Sequence, residues 1–340
     1  MKKARIPIII VLIVILFICS NINTYANEEQ IVMQTKKADM MNSLVDVIKN
    51  YNTSSFFKKN EDNNDQTDFK ESIFDTVSKN KKINIYFHKE NEIKEIYIEE
   101  YVLGVLAAEM SDSREMEALK AQAVAIRTLA FYRMENEKAH EGDAVLCTDS
   151  TCCQAWLDEE YSDKYKEAVK ETEGIVIKYE GEYISSHYFA CSGGYTEDAE
   201  NVWGSSKPYL ISVPSPGEAE YNEYYKAYQF TEKEFASLLN IKGASFRKIS
   251  DVVRSASGRI ITLKINDVEI TGRELRTKLG LRSTNAYFSV DDDGKILISV
   301  FGYGHGVGMS QCGADVMAKS GADYIKILTY YYAGVTIGQA

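Results

Sequence analysis

Two adjacent helical patterns, joined by a short polar link, form the most regular part of this sequence. They occupy the stretch from Glu99 to Met134, EEYVLGVLAAEMSDSREMEALKAQAVAIRTLAFYRM. In the first half, apolar side chains recur at spacings of three and four residues, which places them on one face of a helix. Asp112 and Glu115 then have the spacing of a capping box, and a second amphipathic helix is predicted to run to about Lys138. Each helix has an apolar face that a second layer of structure must cover.

The apolar stripe of the first helix ends in a carboxylate, Glu109. Desolvation disfavours an ionised carboxylate, so we expect a raised pKa and a protonated side chain near neutral pH. A general acid requires that protonation state. The alternative is a structural glutamate paired with Arg127 or Arg133 on the second helix, and periodicity alone does not separate the two.

Strand patterns flank the helices and predict an α+β fold. We expect mixed sheets and hairpins packed with several long helices around an elongated groove. A strand is predicted at 209–213, and a loop followed by a helix at 218–240. The remaining predicted strands are 83–87, 95–98, 174–179, 182–190, 259–265, 268–270 and 296–301, and the remaining helices are 271–279, 314–319 and 324–331.

The N-terminus predicts export. Basic residues precede an uncharged apolar run from Ile6 to Cys19, so residues 1–26 are interpreted as a signal peptide or an N-terminal membrane anchor. Residues 27–80 are polar and are interpreted as a partly disordered spacer. The folded body is then 81–340, either anchored or secreted and outside the cytoplasmic membrane.

The charge of the chain excludes one class of function. A net charge of −11 and a pI near 5.1 argue against a nucleic-acid-binding protein. Export behind a short Lys-rich leader points instead to a bacterial surface compartment, where the substrates are wall polymers, peptides or lipids.

Three clustered cysteines suggest a metal site. One of the six cysteines, Cys19, lies in the leader, which leaves an odd number in the body. Cys147, Cys152 and Cys153 follow His140 closely, a set that fits zinc. The ligands predicted first are His140, Cys147 and Cys153, with a fourth from Cys152, His187 or Cys191. The alternative is a disulfide between Cys147 and Cys152.

A glycine-rich segment, GYGHGVGMSQCGA at 302–314, surrounds a single histidine. Its spacing is neither that of a Walker loop nor that of a dinucleotide fingerprint, so phosphate binding is not expected. A structural tight turn is one interpretation. The other is a polar groove lined by His305, Ser310 and Gln311, since polar residues and glycines at a strand-to-helix junction often form sites.

Together these motifs resemble the stage II sporulation protein D family. The resemblance is carried, in the family's order, by AAEM, EALKAQAVAIRT, SGGYTEDAENVWG, GHGVGMSQCGA and ILTYYYAG, over about 240 residues. It implies a peptidoglycan lytic transglycosylase that cuts between N-acetylmuramic acid and N-acetylglucosamine, preferring strands stripped of stem peptides. It also implies work beside an amidase and membrane partner proteins during engulfment, at the mother-cell membrane facing the wall.

The resemblance also assigns residues. The family's catalytic glutamate is that of AAEM, which is Glu109 here, acting first as acid and then as base without a cofactor. Some members of the family carry a bound zinc, and here it would pin the loop beside the cleft. For substrate binding we nominate four polar or aromatic residues near the later motifs: Tyr188, Ser192, His305 and Gln311.

Two alternatives differ in class. One is a non-catalytic scaffold that binds glycan and positions a partner amidase. The other is a cysteine hydrolase that pairs Cys191 or Cys312 with His305, although no local signature supports it.

Overall fold

The computed structural model describes residues 81–149 and 152–340. The predicted leader, 1–26, and the predicted spacer, 27–80, lie outside these residues. Within the described ranges, no helix has both the length and the apolar character needed to span a membrane.

The described residues form eight α-helices and fourteen short strands. The helices are α1 Ile98–Glu109, α2 Met116–Asn136, α3 Asp163–Glu171, α4 Ala199–Trp203, α5 Glu232–Leu239, α6 Gly272–Leu279, α7 Gln311–Lys319 and α8 Tyr324–Tyr331. The strands are β1 Lys82–Phe87, β2 Glu92–Tyr97, β3 Leu146–Cys147, β4 Ile175–Tyr179, β5 Glu182–Tyr183, β6 Tyr188–Phe189, β7 Tyr225–Phe230, β8 Ile249–Arg254, β9 Ile260–Ile265, β10 Val268–Thr271, β11 Ala286–Val290, β12 Ile296–Phe301, β13 Met309–Ser310 and β14 Thr336–Gln339.

The strands form five small sheets, ordered β2-β1-β3, β14-β4-β5, β13-β6, β10-β9-β8 and β11-β12-β7. Most neighbouring strands are antiparallel, while β1 with β3 and β6 with β13 are parallel. The predicted α+β fold is therefore confirmed.

The first hydrophobic core is built around α2. Helices α1, α3, α7 and α8 and strand β4 all pack on this helix. A helix covered on so many sides must be apolar or small nearly all round, and the alanine-rich sequence of α2 meets that requirement. This core draws its buried side chains from 83–210 and from 307–332.

A second core lies in the chain between the two parts of the first. Its fully buried side chains come from 235–300, on α5, α6 and strands β8 to β12. The chain leaves the first core after Leu210, forms this second unit, and returns at Val307, just before β13, which pairs with β6. The second unit is thus an insertion whose two ends meet beside β6 and β13.

Several predicted elements are confirmed. The bounds of α8 and β12 match, and Thr271 with Glu274 forms a capping box at α6. The capping box predicted from Asp112 and Glu115 is wrong: α2 begins after Glu115, and no side chain caps it.

The errors in strands concern short or irregular elements. The stretch 209–213 forms no strand, and the predicted strand 182–190 is divided into β5 and β6, which belong to different sheets. Three strands of four residues or more in the second unit, β7, β8 and β11, were not predicted, and neither were the short strands β3, β13 and β14. In β7, buried partners on β12 define the strand, whereas its own alternation is weak.

Candidate active site

Glu109 is the last residue of α1, where the helix leaves the first core. Burial raises the pKa of its carboxyl group above the usual value, and it is the largest influence. The Gln311 amide and the backbone N–H of Ala155 act in the opposite direction, because both stabilise the charged form. No neighbouring carboxylate within the described residues contributes to this shift.

The arginines considered as partners of Glu109 are engaged elsewhere. Arg127 is fully buried and donates to both carboxylate oxygens of Glu99, at 2.8 and 2.5 Å. Arg133 pairs with Glu137 at 3.7 Å and donates to the carbonyl oxygen of Cys152 at 3.0 Å. The structural interpretation of Glu109 as half of an ion pair with α2 is therefore wrong.

A chain of hydrogen bonds connects the first core to Tyr188, near Glu109. The Tyr101 hydroxyl donates to Gln154 Oε1 at 3.2 Å, and Gln154 Nε2 donates to the Tyr188 hydroxyl at 2.6 Å. Burial, and then the charge of Glu109, hold the pKa of Tyr188 well above its usual value. Tyr188 is thus a neutral phenol whose hydroxyl lies close enough to feel the charge of the candidate acid.

Gln311 also reaches the Glu109 carboxyl, from the first turn of α7. Ser310 caps this helix by accepting from the Gly313 N–H at 3.2 Å. Gln311 is only 7% exposed, and within the described chain its Nε2 atom has no partner at full hydrogen-bonding distance. A buried donor that is not fully used is available to a ligand or to the carboxylate beside it.

His305 lies in an aromatic cluster rather than in direct contact with the acid. Its ring centroid is 5.9 Å from that of His187, 5.6 Å from that of Phe189 and 5.2 Å from that of Trp203. Burial is the main reason that the pKa of His305 falls to about 3 and that of His187 to about 4. Both rings are neutral near pH 7, and the His305 Nδ1 atom accepts from the Val307 N–H at 3.0 Å.

Ser192 does not occupy the position predicted for it. It is fully buried, and both its N–H and its hydroxyl donate to Glu218 Oε2 at 2.8 Å. Its polar groups hold the turn after β6 and are not presented to a ligand.

Glu218 is the functional group that the sequence did not reveal. It is 1% exposed. Its Oε1 atom accepts from the hydroxyls of Ser215 and Ser310, both at 2.6 Å. Its Oε2 atom accepts from Ser192 and from the Gly193 N–H in the turn after β6. With both oxygens satisfied, Glu218 organises three segments rather than reacting. Its surroundings in sequence, GEAEYNEYY, have no periodicity that predicts burial.

Cys191 and Cys312 are also fully buried. The Cys191 thiol donates to Glu218 at 3.1 Å and not to His305. Neither cysteine has the exposed, base-activated thiol that a nucleophile needs, so the cysteine-hydrolase alternative is wrong.

Four predicted metal ligands meet in one cluster. The ligand atoms of His140, Cys147, Cys152 and Cys153 all lie within 4.8 Å of one another, and the cysteines are free thiols. His140 Nε2 is 3.1 Å from the Cys153 sulfur. Three thiols and an imidazole form a donor set typical of tetrahedral zinc. Cys152 joins the cluster, whereas the other predicted fourth ligands, His187 and Cys191, are directed elsewhere.

A short segment of chain connects the cysteine cluster to Glu109. Cys152 and Cys153 directly precede Gln154, which bonds to Tyr188, and Ala155, whose N–H reaches Glu109. This segment crosses α1 at Gly104, whose carbonyl oxygen accepts from the Leu157 N–H at 3.1 Å. A Cβ atom at Gly104 would lie 2.1 Å from the Trp156 ring, so only glycine permits the crossing.

Comparisons with known proteins agree on one family. The family model described as "Stage II sporulation protein" matches residues 86–179. Stage II sporulation protein D of Bacillus subtilis (strain 168) is 35% identical over 272 residues, covering 76% of this chain and 79% of that protein. The protein of the same name from Bacillus amyloliquefaciens matches to the same extent. The amidase enhancer of Bacillus subtilis (strain 168) is 31% identical over 290 residues, covering 69% of this chain and 40% of the enhancer.

Proposed function

This chain belongs to the stage II sporulation protein D family, and we propose that it is a peptidoglycan lytic transglycosylase acting in sporulation. Its substrate is the glycan strand, preferably stripped of stem peptides, cut between N-acetylmuramic acid and N-acetylglucosamine. The observation that carries the proposal is the partly buried Glu109, with a raised pKa and without an ion pair among the described residues.

In the proposed reaction Glu109 acts twice. Its protonated carboxyl group first gives a proton to the glycosidic oxygen, and the bond to the muramoyl C1 breaks as the sugar alcohol leaves. The resulting carboxylate then takes the proton of the muramoyl C6 hydroxyl, whose oxygen closes on C1 to form a 1,6-anhydro ring. The Ala155 N–H and the Gln311 amide stabilise the carboxylate between the two steps.

A single carboxylate suits this chemistry. Glycosidases that use water need two carboxyl groups, one as acid and one as base or nucleophile. The raised pKa of Glu109 arises from burial, opposed by the Gln311 amide and the Ala155 N–H, and no like charge from the described residues contributes to it. The buried Glu218 is saturated by hydroxyl and N–H donors, which makes it a poor second catalytic group.

Tyr188 and Gln311 are the substrate-binding residues that the geometry supports best. The charge of Glu109 raises the pKa of Tyr188, and the Gln311 amide lowers the pKa of Glu109, so both residues lie close to the carboxyl group. His305 is a neutral ring in the aromatic cluster next to the site and is not assigned a direct contact with the acid. Ser192 is assigned to the structural network of Glu218 instead.

We propose zinc as a structural metal held by His140, Cys147, Cys152 and Cys153. The ion would supply a rigid, charge-balanced crosslink and no part of the acid chemistry. Burial raises the pKa of the Cys153 thiol to about 12, and a coordinated metal ion is what deprotonates such a buried thiol. The crosslink fixes the segment that carries Gln154 and Ala155 to the candidate acid.

The proposed location is outside the cytoplasmic membrane, facing the wall, with the leader as signal or anchor. A second function has one observation in its favour: a relative is named an amidase enhancer. This chain would then bind glycan and position a partner amidase, with or without cutting strands itself.

The experiment is cleavage of purified, denuded glycan strands by the wild type, by Glu109→Gln and by Glu100→Gln. Glutamine preserves shape but has no transferable proton, so we expect Glu109→Gln to lose about 10²–10⁴-fold in rate with glycan binding retained. Glu100 is exposed on the same helix, and its variant should cleave like the wild type. Cleavage by Glu109→Gln within tenfold of the wild type contradicts the assignment. Binding without cleavage by all three proteins favours the scaffold.

A further inference from the structure

Two buried cysteines remain unexplained by the acid, the groove or the metal. The metal cluster uses three of the five cysteines outside the leader and leaves Cys191 and Cys312. Both are 0% exposed. They are about 120 residues apart in the chain, on opposite sides of the inserted second unit.

Backbone contacts bring these cysteines together. Cys312 N–H donates to the carbonyl oxygen of Ala190, the residue before Cys191, at 3.0 Å. This contact continues the parallel pairing of β6 with β13. Cys191 is also held from its other side by two hydrogen bonds with Tyr303, at 3.0 and 2.8 Å. The position of each cysteine is therefore fixed by the main chain and not only by side-chain packing.

The side chains also share their surroundings. The Cys191 sulfur donates to Glu218 Oε2 at 3.1 Å, and the other oxygen of Glu218 accepts from Ser310, two residues before Cys312. The Cys312 sulfur lies 3.8 Å from Arg114 Nη2. The pKa of the Cys191 thiol is raised. The largest cause is contact with the Cys312 side chain, and burial and the charge of Glu218 add to it.

We propose that Cys191 and Cys312 form a disulfide bond in the exported protein. Disulfides persist outside the cytoplasm, and a pair held on adjoining backbone segments meets the requirement that the two Cα atoms lie close together. The bond crosslinks the two chain segments at the base of the second unit. It also fixes the start of α7, where Gln311 approaches Glu109.

The chemistry is thiol–disulfide exchange with a disulfide donor such as oxidised glutathione or an exported oxidoreductase. One cysteine thiolate attacks the donor disulfide, which releases one donor thiol and leaves a mixed disulfide. The second cysteine then attacks the mixed disulfide, forms the Cys191–Cys312 bond and releases the second donor thiol. Overall, two protein thiols are oxidised to one S–S bond and the donor disulfide is reduced to two thiols, which take up the two protons. Because both sulfurs are buried, the exchange accompanies folding, and the completed bond is shielded from reductants.

The first test is peptide mapping of the full wild-type chain. The protein is unfolded and refolded in a glutathione redox buffer with excess zinc, alkylated, then digested without reductant. We expect one linked peptide pair containing Cys191 and Cys312, with Cys147, Cys152 and Cys153 recovered in alkylated form. Alkylation of both Cys191 and Cys312, or a bridge from either to the metal cluster, overturns the proposal.

Melting temperatures provide a second test that does not depend on activity. A bond closing so long a loop should raise the melting temperature by roughly 5–15 °C. With zinc present, wild-type protein that has been unfolded and refolded in a phosphine reductant should melt at the same temperature as the double variant Cys191→Ser/Cys312→Ser. That variant retains a hydroxyl donor toward Glu218 and should not respond to reductant. Each single variant should match the double one, whereas additive effects of the single changes contradict a bond. Neither outcome depends on whether the protein cleaves glycan.

Discussion

At the scale of single residues, Glu109 is governed by opposing influences. Burial at the end of α1 favours the protonated form, while the Gln311 amide and the Ala155 N–H favour the carboxylate. A group that must first give and then take a proton benefits from such opposing influences, because burial stabilises the acid form and the two donors stabilise the carboxylate. The position of Gln311 relative to Glu109 should therefore affect the pH dependence of the proposed cleavage.

Gln311→Ala is expected to move the alkaline limb of the pH profile of kcat/KM to higher pH. The amide lowers the pKa of Glu109, so its removal raises that pKa and keeps the acid protonated over a wider range. The measurement is the pH dependence of cleavage of a fixed glycan substrate. Gln229→Ala, a change to an exposed amide on β7, should leave the limb unchanged. A limb that moves to lower pH in Gln311→Ala contradicts the role given to this residue.

His305 should make the fold sensitive to acid. Its pKa is about 3 in the folded protein and 6.5 without burial, so the unfolded chain binds more protons between these values. Stability is therefore lost as pH falls from 6.5 toward 3, by about 2–3 kcal/mol between pH 7 and pH 4.5 from this group.

Denaturant unfolding of His305→Asn at the two pH values checks this expectation. Asparagine preserves an acceptor for the Val307 N–H but does not titrate, so the loss of stability on acidification should be smaller by about that amount. The exposed His88 supplies the control, His88→Asn, which should behave like the wild type. Equal acid sensitivity of His305→Asn and the wild type is the contrary result.

At the scale of elements, the segment that follows the metal cluster connects three parts of the site. It crosses α1 at Gly104, bonds to Tyr188 through Gln154, and reaches Glu109 through Ala155. The segment has little secondary structure of its own, so its position depends on its ends. The proposed zinc fixes one of those ends.

Cys153→Ser should remove the proposed zinc and loosen this segment. We expect about one zinc per chain in the wild type by elemental analysis, much less in the variant, and a melting temperature lower by roughly 5–15 °C. Glycan cleavage should slow as well, because Ala155 is no longer held against Glu109. Glu141→Gln, an exposed change in the same loop, should retain the metal and the stability. A wild-type chain that contains no zinc, with a Cys147–Cys152 bridge, contradicts the metal assignment.

Across the whole molecule, the sequence predicted those helices and strands whose formation depends on neighbouring residues. The helical periodicity before Glu109, the helix predicted at 271–279 and the strand at 296–301 all follow from neighbours in the chain. The inserted second core was not predicted, because its unpredicted strands are defined by partners such as β12 and not by their own alternation. Burial of Ser192 and Glu218 depends on contacts between distant segments, so no short motif reveals it.

Because the second unit is inserted in the chain, the residues of the candidate site come from segments that are far apart in sequence. Glu109 comes from the first segment, Tyr188 from the strand before the insertion, and Gln311 from the helix that follows it. The cysteine positions predicted a metal site, but the inclusion of Cys152 in the cluster depended on the folded loop. The residue identities in the site were therefore easier to predict than their relative positions.

In the proposed reaction Glu109 works alone, so that the muramoyl C6 hydroxyl and not water completes it. The most direct test is mass spectrometry of the new strand ends after digestion of purified glycan, with and without borohydride. We expect 1,6-anhydromuramic acid ends, lighter by one water than hydrolytic ends and resistant to borohydride, and none of them with Glu109→Gln. Muramic acid ends that borohydride reduces would contradict it, because they require an attacking water and a second carboxylate.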